Sequence, residues 1–182
     1  MLHYPLGDNA DLRLLLPYHA EELAALVVRN EAYLGQWLDL ARRFDQTKAL
    51  ALINEFLRRL ADDGGIMLGI FHQGELAGMI SNRWERAWKN SELTYLLGAE
   101  YQGKGLMTRA VKALTDYSFG DLALRRIEII VQVGNEASAG VAKRAGYHFE
   151  GIRELSVGRE DGAFDAEIYV ALAPRWNRNG NN

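Results

Sequence analysis

The chain has 182 residues, is 48% hydrophobic and carries a formal net charge of −3; it can bury a sizeable core and has no general attraction to nucleic acid. It contains no cysteine, which excludes disulfides, thiolate metal sites and a cysteine nucleophile. Neither an 18-residue apolar stretch nor a signal-peptide pattern is present, so the expectation is a cytoplasmic protein without a membrane partner.

In chain order, Leu12 to Leu16 reads as a short strand closed by Pro17, and Glu21 to Asn30 carries apolar residues at helical spacing. Trp37 lies in the link beyond. From Thr47 to Leu60, Ala49, Leu50, Ile53, Leu57 and Leu60 make one helical stripe, stopped by Asp62-Asp63-Gly64-Gly65. Two strands follow, Ile66 to Phe71 and Glu75 to Trp84, joined by a turn at Gln73-Gly74. A further strand ends near Gly98, and a helix runs from about Gly105 to Phe119. Ile127 to Val133 is rich in β-branched residues, as expected of a central strand covered on both faces. Ala137 to Ala145 reads as a helix ended by Gly146. Tyr147 to Val157 and Ala163 to Leu172 form a hairpin around Arg159-Glu160-Asp161-Gly162. Asn177 to Asn182 reads as a frayed end. With no repeat or linker visible, residues 1–182 are expected to form one domain around one mixed α/β sheet.

Between Leu93 and Val111 an apolar run breaks at Gly103-Lys104-Gly105 and resumes as an amphipathic helix. A strand-to-helix turn of this kind leaves backbone N–H groups unpaired at the helix start, where the macrodipole favours an anion. Three glycine-loop chemistries compete for it. A nucleotide-hydrolysing loop needs Ser or Thr after the lysine to reach Mg²⁺, and the residue there is Gly105. A dinucleotide fingerprint needs a glycine where Thr108 stands. The third pattern, Gln/Arg-x-x-Gly-x-Gly/Ala, is matched by Gln102-Gly103-Lys104-Gly105-Leu106-Met107 except at its last position, where Met107 would narrow the approach to a pyrophosphate.

On this loop the sequence resembles the GNAT acyl-CoA-dependent N-acetyltransferases, and among them the RimL/RimJ-type ribosomal-protein N-terminal acetyltransferases. The resemblance spans nearly the whole chain through Leu34-Gly35-Gln36-Trp37-Leu38, Gly78-Met79-Ile80-Ser81, Tyr101 to Gly105, Gly134-Asn135-Glu136-Ala137-Ser138, Arg144-Ala145-Gly146-Tyr147 and Glu150-Gly151. It implies the GNAT fold: α/β (α+β), with a mixed, mostly antiparallel sheet of six to seven strands, splayed central strands and about four helices. It further implies acetyl-CoA as co-substrate, no metal, and a homodimer.

The resemblance places a pantetheine slot between the strand ending near Gly98 and the strand Ile127 to Val133. A pantetheine arm is two amides in series, which an unpaired strand edge can match. Leu97 and Ala99, flanking Gly98, are the candidate backbone partners. The pyrophosphate falls to Gln102, Gly103, Lys104, Gly105, Leu106, Met107 and Thr108.

Acetyl transfer needs a neutral amine, a held oxyanion and a stabilised thiolate. An N-terminal α-amine, with a reference pKa of ~7.7–8.0, is far easier to neutralise than lysine at ~10.4. Many GNAT enzymes place a tyrosine acid where this chain has Ala142; RimL-like enzymes resemble it in placing a serine three residues after the asparagine. Ser138 is therefore the candidate acid and Asn135 the candidate holder of a pantetheine amide; the competing reading is that Asn135 closes the strand and Ser138 caps the following helix. The RimL-type glutamate is missing, its position being Ala99. Glu100 and Glu92 are the candidate bases, against plain surface carboxylates or bulk water as proton acceptor.

Tyr33, Trp37, Trp84 and also Trp88 could line an acceptor groove, or pack in the core. His3, His19, His72 and His148 have no metal-ligand spacing. The expected activity is direct acetyl transfer to a primary amine, foremost the N-terminal α-amine of a ribosomal protein. A small-amine acetyltransferase acting on polyamines or antibiotics, and a non-catalytic acyl-CoA-binding module, are the alternatives.

Overall fold

Tight turns with positive φ set the first half of the sheet. Asp8 and Asn9, at φ 51° and 55°, join β1 (His3–Gly7) to β2 (Ala10–Leu14). Gln73 and Gly74, at φ 55° and 89°, join β3 (Gly65–His72) to β4 (Glu75–Glu85). Two consecutive positive φ values twist the chain in the sense the flanking strands need. The computed structural model describes residues 3–176; the expectation for Asn177 to Asn182 lies outside the described residues.

Between β2 and β3 come α1 (Ala20–Arg29), the one-turn α2 (Glu31–Leu34) and α3 (Gln46–Ala61). Asp45 caps α3 by accepting the Lys48 N–H at 2.8 Å. After β4 follow β5 (Asn90–Leu97), α4 (Leu106–Gly120), β6 (Arg126–Gln132), α5 (Glu136–Ala145), β7 (His148–Arg159) and β8 (Gly162–Leu172). The strands form one sheet in the order β1-β2-β3-β4-β5-β6-β8-β7, antiparallel except for β5 beside β6.

Neighbouring residues of β4 show how the helices divide between the faces. Arg83 lies over the Phe56 ring of α3, while Asn82 donates to Ser118 of α4 at 2.9 Å. Side chains alternate along a strand, so α1 and α3 cover one face and α4 and α5 the other. The core lies between these layers and the central strands, with Leu12, Ile66, Leu68, Ile70 and Ile80 fully buried. Each such side chain stabilises the fold by roughly 1.5–3 kcal/mol.

The GNAT-type architecture expected from the resemblance is present, with eight strands rather than six or seven and five α-helices rather than four among the described residues. The additional strand β1 is an exposed edge strand carrying Pro5, with one buried residue and hence almost no alternating signal. The additional helix α2 is a single turn. One expectation is corrected: β6 alternates between fully buried Ile127, Ile129 and Val131 and half-buried Glu128, Ile130 and Gln132, so only one of its faces is fully covered.

Candidate active site

β5 and β6 pair only from Asn90 with Arg126 to Leu93 with Ile129. Beyond that point β5 continues along β4 to Leu97, and β6 continues along β8 to Gln132. The two strands therefore diverge, and a cavity of about 940 Å³ occupies the gap. The Gly98 N–H donates to Ala77 on β4 at 2.9 Å. Backbone polar groups alternate between the two edges of a strand, so the N–H and C=O of Leu97 face the gap.

Downstream of β5 the chain does not continue extended. Ala99–Tyr101 is a 3₁₀ turn, in which Gly98 O accepts the Tyr101 N–H at 3.0 Å and Ala99 O accepts the Gln102 N–H at 3.2 Å. The Ala99 N–H is taken by the buried Asn30 carboxamide at 2.9 Å. Ala99 and Gly98 thus have no free backbone donor for a ligand, which corrects the expectation for both; Leu97 alone of the three lines the cavity.

The glycine loop has the geometry its sequence demands. Gly103 and Gly105 adopt φ 74° and 69°, a region costly for any residue with a Cβ. Gly105 is the N-cap of α4, and the first intrahelical bond runs from Arg109 N–H to Gly105 O at 3.1 Å. The N–H groups of Leu106, Met107 and Thr108 precede it and so have no intrahelical acceptor, and all three residues line the cavity. No acidic residue occupies the first turn of α4, whereas α1 has Glu21 and Glu22 there and α5 has Glu136. The dipole at the start of α4 is left for an external anion. Gln102 also lines the cavity. Lys104 does not: its ammonium lies 5.3 Å from the Tyr101 ring centroid. Met107 is 4% exposed and packs in the hydrophobic core, which corrects the expectation that its side chain narrows the anion approach.

Asn135 and Ser138 both line the cavity. The carboxamide oxygen of Asn135 accepts the Ser138 N–H at 3.1 Å, making Asn135 the cap of α5 and Ser138 its third residue. This reverses the capping arrangement considered from sequence, in which Ser138 was the cap. The Ser138 hydroxyl lies 3.0 Å from the Tyr95 phenol on β5, a partner that sequence reading did not identify.

The two candidate bases part company. Glu92 lines the cavity, in register with Arg83 on β4 and Glu128 on β6, and on the face opposite Tyr95 and Leu97. Glu128 is tied to Arg126 at 2.7 Å, while Glu92 has no hydrogen-bond or ion-pair partner among the described residues. Glu100 is outside the cavity and pairs with Arg29 at 2.8 Å. Burial pushes its carboxyl upward, but the Arg29 hydrogen bond, its own N–H and Asn30 together hold it below the usual range. A paired, acid-shifted carboxylate away from the cavity is not placed to take a proton from an acceptor.

Tyr33 and Trp37 line the cavity from the α2 segment. Trp84 does not; it is 7% exposed, with its indole N–H on the Asp63 carbonyl and Arg86 over its ring. Trp88 is 78% exposed at the β4–β5 turn, away from the cavity. Both are thereby corrected as groove residues.

The far wall comes from Ser156, Val157 and Gly158 of β7. A bulge between Arg153 and Val157, with Leu155 at φ 47°, displaces this strand from its β8 register. Arg159 then ties the β7–β8 tip to the α2 segment. Its side chain is 4% exposed and donates to the carbonyls of Gly35 (3.1 Å) and Gln36, and to Gln132 (3.2 Å). Asp161 bridges Arg159 to Arg42, and Asp39 accepts the Glu160 N–H at 2.7 Å. The result is a polar clasp over one end of the cavity.

The model of the acetyltransferase (GNAT) domain matches residues 11–148. The chain belongs to the GNAT acetyltransferases. It is 36% identical over 173 residues to YdaF of Bacillus subtilis (strain 168), whose name assigns it provisionally to ribosomal N-acetylation, covering 93% of this chain and 94% of the relative. It is 28% identical over 170 residues to the ribosomal-protein-serine acetyltransferase of Escherichia coli (strain K12), covering 91% and 94%. A solved structure of the ribosomal L7/L12 α-N-protein acetyltransferase RimL in complex with coenzyme A superposes with a TM-score of 0.88 at 27% identity, covering 93% of this chain and 97% of the other. This acetyltransferase is an acetyl-CoA-dependent acyltransferase. The divergent strands, the open Leu97 edge and the N–H cluster at α4 fit the amide-rich arm and the pyrophosphate of that co-substrate. Among the described residues no group of three or more His, Asp or Glu side chains could hold a metal ion. No helix there is long and apolar enough to cross a membrane.

Proposed function

We propose that the protein, acting as one domain, acetylates the N-terminal α-amine of a protein, with a ribosomal protein as the preferred acceptor. The observation that carries the reading is the two-sided cavity. Its lining includes the start of α4 with Tyr95 and Ser138, and also Glu92, Tyr33, Trp37 and the β7 bulge, with Glu92 and Tyr95 on opposite faces of β5. Relatives that share nearly the full length and are named for ribosomal-protein acetylation support the choice of acceptor. A ribosomal acceptor also fits a cytoplasmic enzyme, and the RimL-like resemblance supports a homodimer.

In this reading Gln102, Gly103 and the N–H groups of Leu106, Met107 and Thr108 bind the pyrophosphate, and the Leu97 edge and the Asn135 amide nitrogen bind the pantetheine arm. The Ser138 hydroxyl donates to the sulfur as negative charge grows there. A thiol with a reference pKa of ~8.5 needs little more than that donor to leave. Glu92 accepts the amine proton from the opposite face, directly or through water. Its task is light, because an α-amine at ~7.7–8.0 is partly neutral near pH 7.

Labelled acetyl-CoA, offered with N-terminal peptides, intact ribosomal proteins and small amines, tests the assignment. Label should enter the N-terminal residue of a ribosomal protein. Turnover of spermidine with none on ribosomal acceptors would replace the acceptor, and no turnover on any amine would leave an acyl-CoA-binding module.

A further inference from the structure

The Ser138 hydroxyl does not stand alone at the cavity wall. Tyr95 reaches across from β5 and brings its phenol within 3.0 Å of Ser138 Oγ and 3.3 Å of the Ser138 carbonyl. That carbonyl is the acceptor for Ala142 within α5. The closer oxygen, Oγ, is therefore the better partner for the phenol proton. A serine hydroxyl otherwise rotates freely and can spend its proton in any of three directions. The Ser138 backbone is held as well, through the Asn135 cap at 3.1 Å.

We propose that Tyr95 is a positioning residue for the reaction: its phenol donates to Ser138 Oγ, which leaves the Ser138 O–H to point at the coenzyme sulfur. The proposal rests on the reading of Ser138 as the sulfur's donor. Burial pushes the Tyr95 phenol up to about 12, so it remains a donor throughout the range in which an α-amine is reactive. No proton has to leave the tyrosine. The amine nitrogen forms the new C–N bond, the C–S bond breaks with its electron pair on sulfur, and the amine proton passes to Glu92 or water. The thiolate, hydrogen-bonded by Ser138, regains a proton from solvent. Two hydrogen bonds in line strengthen one another as that charge develops.

A double-mutant cycle tests this, using acetyl-CoA and a peptide with an N-terminal serine. Tyr95→Phe should lower kcat about five- to tenfold, leave the KM for acetyl-CoA within twofold, and keep the thermal midpoint. Ser138→Ala should lower kcat at least as much, and Tyr95→Phe should cost nothing further in the Ser138→Ala background. Multiplying effects, or a wild-type kcat for Tyr95→Phe beside a slowed Ser138→Ala, would overturn the Tyr95 assignment alone. A wild-type kcat for Ser138→Ala would overturn the Ser138 reading and the proposal with it. Without an acceptor, the ratio of affinities for CoA and desulfo-CoA gives a second readout. It should fall in Tyr95→Phe to the value in Ser138→Ala; an unchanged ratio in Tyr95→Phe beside a reduced one in Ser138→Ala contradicts the proposal.

Discussion

The two ends of the cavity are built on different principles. At the α4 end, the lining comes from one stretch of chain between Leu97 and Thr108, which presents the Leu97 edge and the first N–H groups of α4 after two glycines at positive φ. At the clasp end, the walls are side chains from segments far apart, and the Arg159 to Gly35 bond joins residues 124 positions apart. The first arrangement is set by local backbone conformation within one segment. The second depends on ion pairs and a bulged strand, so its shape can change with few substitutions. A common co-substrate and a variable acceptor would place their demands in just this way.

The comparison breaks most visibly at Gly105. A β-branched residue there meets φ 69°, and Gly105→Val should raise the KM for acetyl-CoA about thirtyfold, roughly 2 kcal/mol, with the acceptor KM within twofold in steady-state kinetics. Arg159→Ala should do the reverse. Losing charge-assisted bonds to two loop carbonyls should raise the acceptor KM about tenfold and leave the acetyl-CoA KM unchanged. Glu92→Gln should lower kcat about tenfold near pH 7 and progressively less toward pH 9, where the α-amine is already neutral; a pH–rate profile checks it.

The smallest effect belongs to Glu100. Glu100→Gln should leave kcat within twofold, because its carboxylate serves Arg29 outside the cavity. It should instead alter acid stability. A carboxyl whose folded pKa is depressed contributes stability above the ordinary Glu value of ~4.3 and loses it as pH falls through the folded value. The wild-type thermal midpoint should therefore drop more steeply than that of Glu100→Gln below about pH 4.

What the sequence made legible follows the same division. The glycine loop, the helix stripes and the Gln73-Gly74 turn are local, and local chemistry determined them. For Glu100 the surface-carboxylate alternative holds: a 3₁₀ turn follows Gly98 and its carboxylate pairs with Arg29 outside the cavity, a partner 71 positions away that nothing local reveals. Trp84 was misjudged because an aromatic residue near a strand end can equally cap a neighbouring turn, here through Asp63. Arg159 read as part of an ordinary hairpin turn, since nothing local reveals a partner at Gly35. Tyr95 carried one usable signal: at period two it shares the face of Leu97, toward α5. Its contact with Ser138 spans 43 positions and needed the fold to be seen.

Amide hydrogen exchange tests the two-ended cavity most directly. Addition of acetyl-CoA alone should slow exchange at Leu97, Leu106, Met107 and Thr108 and leave residues 33–38 and 154–158 unchanged. Adding an N-terminal serine peptide with desulfo-CoA should then slow those two segments. Protection of residues 33–38 and 154–158 by acetyl-CoA, with none at the start of α4, would contradict the account.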